Sequence, residues 1–477
     1  MQFNTIGFIV FFSLCLFFYY HLPGRTNKWF LLGCSLFFYS CFSYHALIVL
    51  FFIAIISWLG ENKIKKVRKR SLLFLFLILT LLPLILLKYA RAVPGLILPI
   101  GISFFTLQAL SGMIDSYKQK NSSSEFFEHL LYLSFFPTVV SGPIIRKKDF
   151  LEELKKQHVF SYEEIRRGFY RITVGYLEKF FLADQIGKQV NYIYNHFSEM
   201  TGIQIAVTAM LYTLQLYLDF AGYSHMAIGF AKCFGISLIE NIERPFFSTT
   251  IKEFWRRWHI SLSSWLRDYV YIPLGGSRKG TITKYRNLII TFLVSGVWHG
   301  VGFNFLFWGF LHGVYQVIED LLIRKIKLPE FDNKYLDSNK HNQITKSKYY
   351  QGFIQLLRIT IVFLLVSFAF LFFRAPNMTT AIQMLNIIIT DFQLSSLFSN
   401  WWFYGLCKLE YILWFVVFIV IFIFDLMEEK RNSLLIILEK KNLLIRWIVY
   451  ACAVFIILIA YIMTIGTDSN TFLYQNF

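Results

Sequence analysis

Charge is what this sequence has least of. Only 16% of its 477 residues are charged, where a soluble globular chain carries about a quarter. Acidic residues are the scarcer sign: 29 Asp and Glu stand against 47 Lys and Arg, a formal net charge of +18. This argues against a soluble globule. The 56% of residues that are hydrophobic exceed what one water-surrounded core needs, and they gather in long runs, as they do where lipid is the solvent. Cysteine is also sparse. Cys15, Cys34, Cys41, Cys233, Cys407 and Cys452 form no CxxC pair and mostly sit in apolar runs. They read as small hydrophobes, not as a disulfide frame or a metal site. No basic-aromatic module interrupts the apolar runs, so the cation excess points to cytoplasmic loops and anionic lipid headgroups, or to an anionic small molecule, and not to nucleic acid. The first apolar segment, roughly 5–20, lacks a basic leader and a small-residue cleavage site and reads as a retained helix. No internal repeat and no separate soluble domain is visible, so the expected architecture is one membrane-embedded domain over 1–477.

Apolar runs long enough to span lie at 5–21, 28–44, 45–59, 71–88, 95–115, 127–144, 166–185, 203–235, 287–319, 352–373, 411–427 and 443–465. Two of them, 203–235 and 287–319, are too long for one simple crossing. About 33 residues make a helix of roughly 50 Å against about 30 Å of hydrocarbon. Each is expected to break or bend, with Gly222, Gly296, Gly300 and Gly302 as the candidate points. The cluster Lys63, Lys65, Lys66, Arg68, Lys69 and Arg70 is the densest early group of cations and should be cytoplasmic. Three spans precede it, which puts the N-terminus outside. Residues 146–165 mix cations with acids and read as a surface helix or loop, and residues 325–350 as an exposed polar loop.

Three stretches carry ionisable groups where lipid would not tolerate them idly. In 252–286 aromatics alternate with cations: Trp255, Arg256, Arg257, Trp258, His259, then Trp265, Arg267, Asp268 and Tyr269. On one continuous helix Phe254, Trp258, Ser261 and Trp265 share a face. Such a segment is either a plain interfacial anchor or a cytoplasmic cradle for an anionic substrate, since Arg and Lys hold phosphates well. In 287–313 His299 sits about twelve residues into an apolar run, among Ser295, Gly296, Gly300 and Gly302. An ionisable group near mid-depth is a functional hypothesis by default, with a neutral histidine bonding a neighbouring helix as the plainer reading. His312 recurs in a similar glycine-flanked setting and reads as structural. In 211–235 Asp219 is a carboxylate within an apolar run and needs a partner or a proton. Ser224 and His225, adjacent on a helix, diverge, and no nucleophile elbow is present, so with Asp219 they do not make a triad. No ligand spacing near His299 suits a metal.

Taken together, LPIGISFFTLQ at 98–108, FFPTVVSGPIIR at 135–146, LQLYLDFAGYSHMAIG at 214–229, FWRRWHISLSSWLRDYVYIPLGGSR at 254–278, RN with SGVWHG over 286–300, and SFAFLFFRAP at 367–376 identify a resemblance over most of the chain. The sequence resembles the membrane-bound O-acyltransferase superfamily, in its bacterial polysaccharide O-acetylation branch. The resemblance implies an all-α, polytopic membrane fold with about 11–13 membrane-embedded helices, some broken or re-entrant. It also implies a donor, acetyl-CoA, that arrives from the cytoplasm, and no metal. The acetyl group would pass toward an extracytoplasmic polysaccharide through a separate periplasmic esterase-like acetyltransferase, in a bacterial inner membrane. His299 matches the catalytic histidine of the WHG motif and His259 the second signature histidine. Substrate contacts are expected from Trp298, Asp219, Tyr223, Arg256, Arg257, Trp258, Ser261, Arg267 and Asn287, with Arg256, Arg257, Arg267 and Lys279 on the diphosphate of coenzyme A. A neutral imidazole can take a proton from an attacking hydroxyl. Abundant Phe, Ile, Lys and Asn suggest an AT-rich genome, which favours peptidoglycan over an exopolysaccharide such as alginate as acceptor. Two other functions remain open. A transporter or flippase also uses broken helices and mid-membrane Asp and His, although no repeated pair of half-helices is present. A relative in the same superfamily can act on a lipid or protein acceptor.

Overall fold

Helix is the regular structure throughout the residues that the computed structural model describes, which are 3, 5–24, 26–89, 98–119, 124–326, 345–398, 408–429 and 434–464; no strand occurs among them. The α-helices run α1 Ile6–His21, α2 Asn27–Ser40, α3 Tyr44–Val67, α4 Arg70–Leu84, α5 Ile102–Tyr117, α6 Phe126–Ser134, α7 Lys147–Lys155, α8 Tyr162–Tyr176, α9 Asp184–Asn195 and α10 Gly202–Cys233. They continue with α11 Ile251–Arg257, α12 Ile260–Leu266, α13 Thr281–His299, α14 Phe303–Ile326, α15 Thr345–Arg374, α16 Met378–Thr390, α17 Lys408–Glu429, α18 Leu434–Glu439 and α19 Leu443–Thr464. Among the described residues four segments are long and apolar enough to cross a membrane, Tyr44–Val67, Arg70–Lys88, Gly202–Cys233 and Tyr350–Arg374, with shorter apolar helices at Ile6–His21, Met378–Thr390 and Leu443–Phe455. Apolar side chains such as Phe74, Leu75 and Ile78 stay exposed on α4, which suits contact with lipid. The all-α polytopic membrane expectation is met.

The backbone divides into two units. The first comprises Met1–Gln185, Gln215–Asn241 and Cys407–Phe477, and the second Ile186–Leu214 and Ile242–Leu406. In the first, α3 packs on α4, α5 and α6, and α8 lies along the later part of α10. Here the expected break at Gly222 does not occur, and α10 runs unbroken for 32 residues. The glycines serve close approach instead. A β-carbon at Gly222 would stand 2.7 Å from the Gly175 carbonyl, and one at Gly229 2.8 Å from the Gly168 carbonyl. Glycines seven apart on both helices thus let two backbones touch, as small residues do between membrane helices.

Three further readings change. The run 127–144 is helical only to Ser134 and continues as irregular backbone, whose buried residues include Val139, Val140 and Ile144. Irregular backbone at such depth is tolerated where protein covers it. Residue 147 departs from the surface reading of 146–165. Lys147 is buried, its ammonium bonded to the Glu61 carboxylate and 2.9 Å from His129 Nδ1. Ser57 donates its hydroxyl proton to the Ile53 carbonyl (2.6 Å), so it accepts from His129 Nε2–H at 2.8 Å, which leaves Nδ1 to accept from Lys147. This network ties α3, α6 and α7 together. Of the loop expected at 325–350, residues 327–344 lie outside the described residues, while 345–350 already belong to α15.

Candidate active site

The second unit holds His259, His299 and His312. The apolar run at 287–319 breaks at two of its three candidate glycines, Gly300 and Gly302, while Gly296 stays inside α13. α13 ends on His299, and α14 starts at Phe303 after the turn Gly300–Gly302. The two helices then fold back on each other backbone to backbone. A β-carbon at Gly296 would fall on the Phe305 carbonyl, and one at Gly309 on the Phe292 carbonyl. No larger residue allows that approach without separating the helices, and the approach is what brings Trp308 of α14 beside His299.

His299 is buried, and three aromatic rings surround it. Trp298 stands 4.7 Å away between centroids, Trp308 5.0 Å at 87° and Phe373 5.1 Å at 77°. Phe373 comes from the end of α15. Asn304 secures that end: its Nδ2 donates to the carbonyls of Phe372 (3.2 Å) and Ala375 (2.9 Å). An imidazole at a helix terminus, walled by apolar rings, is held in one orientation and kept from bulk water. A general base needs both.

His259 reaches the same wall from another direction. The one continuous helix expected to carry Phe254, Trp258, Ser261 and Trp265 is interrupted. α11 ends at Arg257, Trp258 is extended, and His259 takes the left-handed conformation with φ 45° before α12 begins. The end of α11 is fixed by the preceding chain, where Glu243 N–H donates to the Arg257 carbonyl at 2.9 Å. A left-handed non-glycine residue is strained and persists only where its surroundings hold it. What that geometry achieves is burial of both rings. Trp258 stacks on Phe254 (5.6 Å, 15°) and meets Phe370 at 5.7 Å, while His259 lies 6.1 Å from Trp298. Burial pushes the His259 imidazole down to about 3, so it is neutral at physiological pH. The interfacial-anchor reading therefore does not describe Trp258, His259 and Ser261, all of which are buried.

The cations sort by exposure. Arg256, Arg267 and Lys279 are exposed, Arg267 paired with Asp268 at 2.9 Å. Arg257 is engaged within the protein, with Glu253 at 2.7 Å. Asn287 is buried and its amide holds the Pro273–Gly276 loop, donating to the carbonyls of Leu274 (3.2 Å) and Gly276 (3.0 Å) while accepting from Arg286 at 3.0 Å. In this structure Asn287 positions the loop.

Asp219 and Tyr223 belong to the first unit. The partner that Asp219 required is Lys179, on the π-helical turn Leu177–Ala183. The Lys179 ammonium bonds Asp219 and Asp184, the latter at 2.6 Å, and stands 5.8 Å from the Tyr223 ring. His225 pairs with Glu178 at 2.7 Å, and Ser224 accepts from Asn241 at 3.5 Å, so the triad discounted from sequence is not assembled. Lys179 and Asp184 were missed in the sequence because they lie about 40 residues from Asp219 in an unremarkable run; the only signal was that a buried carboxylate must have a partner. Trp308, Phe373 and Asn304 were missed because their role comes from helix packing. Among the described residues no group of His, Cys, Asp and Glu is arranged to hold a metal ion.

The family model described as MBOAT, membrane-bound O-acyltransferase family, matches residues 35–337. The chain is 36% identical over 304 residues to the probable alginate O-acetylase AlgI of Pseudomonas putida, covering 63% of this chain and 58% of that protein. It is 33% identical over 317 residues to the peptidoglycan O-acetyltransferase of Helicobacter pylori, covering 61% and 56%. It is 33% identical over 279 residues to the teichoic acid D-alanyltransferase of Streptococcus thermophilus, covering 55% and 67%. The matches thus span somewhat more than half the length of the first two relatives. The matched region contains both signature histidines, which the fold joins through Trp298, and it takes in well over half of the sequence: the chain belongs to the membrane-bound O-acyltransferase family.

Proposed function

We propose that this chain is a membrane O-acetyltransferase that moves an acetyl group from cytoplasmic acetyl-CoA toward an extracytoplasmic cell-wall polysaccharide, with His299 as general base. The observation that carries this reading is His299 itself, buried at the α13–α14 turn among Trp298, Trp308 and Phe373. Its neutral imidazole takes the proton of an attacking hydroxyl as oxygen adds to the thioester carbonyl. The carbon–sulfur bond then breaks, and the imidazolium returns the proton to the leaving thiolate. Because a thioester is already activated, orientation and base assistance suffice. His259, neutral and buried against Trp298, orients the donor, with Trp258 and Ser261 beside it. The exposed Arg256, Arg267 and Lys279 receive the diphosphate of coenzyme A.

The chain works as one membrane-embedded domain in a bacterial inner membrane, with its N-terminus extracytoplasmic. Peptidoglycan is the favoured acceptor, ahead of an exopolysaccharide such as alginate, and a periplasmic esterase-like acetyltransferase completes the transfer. The relatives whose names give alginate and peptidoglycan acetylation support a polysaccharide acceptor, and the AT-rich composition is what ranks peptidoglycan first. The test is purified protein in liposomes with radiolabelled acetyl-CoA and a cell-wall polysaccharide acceptor with periplasmic extract. Label should leave the donor in the unaltered protein and stay on it in His299→Ala at equal expression. Full transfer in His299→Ala overturns the base assignment. Ion-coupled uptake of an envelope precursor without acyl chemistry favours a transporter, and mass spectrometry of the acetylated product separates polysaccharide from lipid or protein acceptors.

A further inference from the structure

Trp308 and His312 of α14 carry N–H groups for which the described residues offer no acceptor. Trp308 and His312 lie one helical turn apart, so they share a face, and their ring centroids are 5.1 Å apart. Trp255 donates its indole N–H to His312 Nδ1 at 3.2 Å. An indole nitrogen is a donor only, so Nδ1 carries the lone pair, and the neutral ring must carry its proton on Nε2. That Nε2–H is fully buried and has no acceptor among the described residues; the same holds for the indole N–H of Trp308. Buried donors in native proteins nearly always find acceptors, and exceptions call for a reason such as an absent ligand.

The chemistry of the pair narrows what that ligand offers. Both groups donate and neither accepts, so they suit an oxygen with lone pairs and no proton to give, as in a carbonyl. They do not suit a cation. Their position narrows it further, since the Trp308 ring stands edge-on to His299 at 5.0 Å. Phe370 and Phe373 close the surroundings, at 6.2 and 5.1 Å from Trp308. Apolar walls of this kind raise the strength of a hydrogen bond to developing negative charge.

We propose that Trp308 Nε1–H and His312 Nε2–H are the hydrogen-bond donors for the acyl carbonyl oxygen of the donor, and so are catalytic residues. This rests on the acetyl-transfer reading above. When the acceptor hydroxyl adds to the thioester carbon, the carbonyl π electrons move onto this oxygen, and the two N–H groups meet the charge. They release it when the carbonyl re-forms and the carbon–sulfur bond breaks. Trp255 acts through His312, fixing its tautomer, and is a positioning residue.

The experiment uses the full chain in nanodiscs with acetyl-CoA labelled with carbon-13 at the thioester carbonyl. In the His299→Ala background the donor stays intact, and isotope-edited infrared difference spectra read its carbonyl stretch. The bound carbonyl should absorb at lower wavenumber than in an aprotic solvent, and adding Trp308→Phe should move the band back up. With His299 restored, Trp308→Phe should lower kcat by about 100-fold or more with donor KM little changed, the loss typical of one such donor. His312→Gln, which keeps an acceptor for Trp255 and an N–H, should retain more activity than His312→Leu. Bound acetyl-CoA whose carbonyl band is unshifted, or a Trp308→Phe enzyme within about threefold of normal kcat, overturns this proposal alone. Absence of any acetyl-CoA binding to the unaltered protein overturns the acetyl-transfer reading, and this proposal with it.

Discussion

Replacing Lys179 by methionine isolates the stabilising role of a buried charge. In the first unit the Lys179 ammonium is 1% exposed and bonded to two carboxylates, Asp184 at 5% and Asp219 at 1% exposure. Methionine keeps the length of the side chain and removes the cation, leaving two buried acids side by side. Breaking a buried ion pair by deleting one partner destabilises by about 3–5 kcal/mol. Here one lysine serves two acids, so the loss should fall at the upper end of that range. Asp219→Asn is milder because the Lys179–Asp184 pair survives; losing one hydrogen bond to a charged group amounts to about 1.5–3 kcal/mol. The decisive variant is the triple Lys179→Met, Asp184→Asn, Asp219→Asn, which carries no stranded charge and should recover at least about 2 kcal/mol relative to Lys179→Met. Thermal or denaturant unfolding in detergent, followed by tryptophan fluorescence, reads all three. A Lys179→Met protein as stable as the unaltered one, or a triple variant no better than the single, would refute the argument. Acetyl transfer measured on Asp219→Asn in parallel separates a role in stability from a role in substrate binding.

Three further outcomes are expected. His299→Gln should lower the rate of acetyl transfer by about 10²–10⁴-fold with an unchanged unfolding midpoint, measured with labelled donor in liposomes; an unchanged rate removes the base from the mechanism. Stability should fall with acid because of His259. Its folded pKa of about 3 lies below the ordinary 6.5, so its contribution is complete above pH 6.5 and is lost as pH falls toward 3. That amounts to about 2 kcal/mol between pH 6.5 and 5, and the part of the pH slope that disappears in His259→Phe measures it. Gly296→Val should destabilise by about 1–3 kcal/mol and reduce activity with it, because the side chain pushes α13 from the Phe305 carbonyl; a midpoint equal to that of the unaltered protein would show that the helices do not need that approach.

The membrane class and the helical fold were legible in composition and in the lengths of the apolar runs, because lipid permits few ways of satisfying a backbone. The turn after His299 was legible too, from Gly300 and Gly302 in a run too long for one crossing, whereas Gly296 stays inside α13 and serves close approach. Gly222 gave the same signal and meant something else. A glycine in a long apolar run either breaks the helix or lets another helix touch it, and composition does not distinguish the two. α8 presents Gly168 and Gly175 at the matching spacing, and contact won. Residues 252–266 show the opposite failure: the pattern suits one amphipathic helix, yet the backbone turns left-handed at His259, because the Arg257 carbonyl is captured from outside the helix.

The sequence by itself determined the solvent, the helical class and, through its motifs, the family and the two histidines. These are local or compositional properties, written in periodicity and in runs of residues adjacent in the chain. Only the tertiary structure decided what surrounds those histidines. The pairing of Asp219 with Lys179, the binding of Asn287 to loop carbonyls and the ring cage of Trp298, Trp308 and Phe373 all join residues from different segments. Such contacts depend on which helix faces meet, and that is set by the packing of whole helices at their glycines.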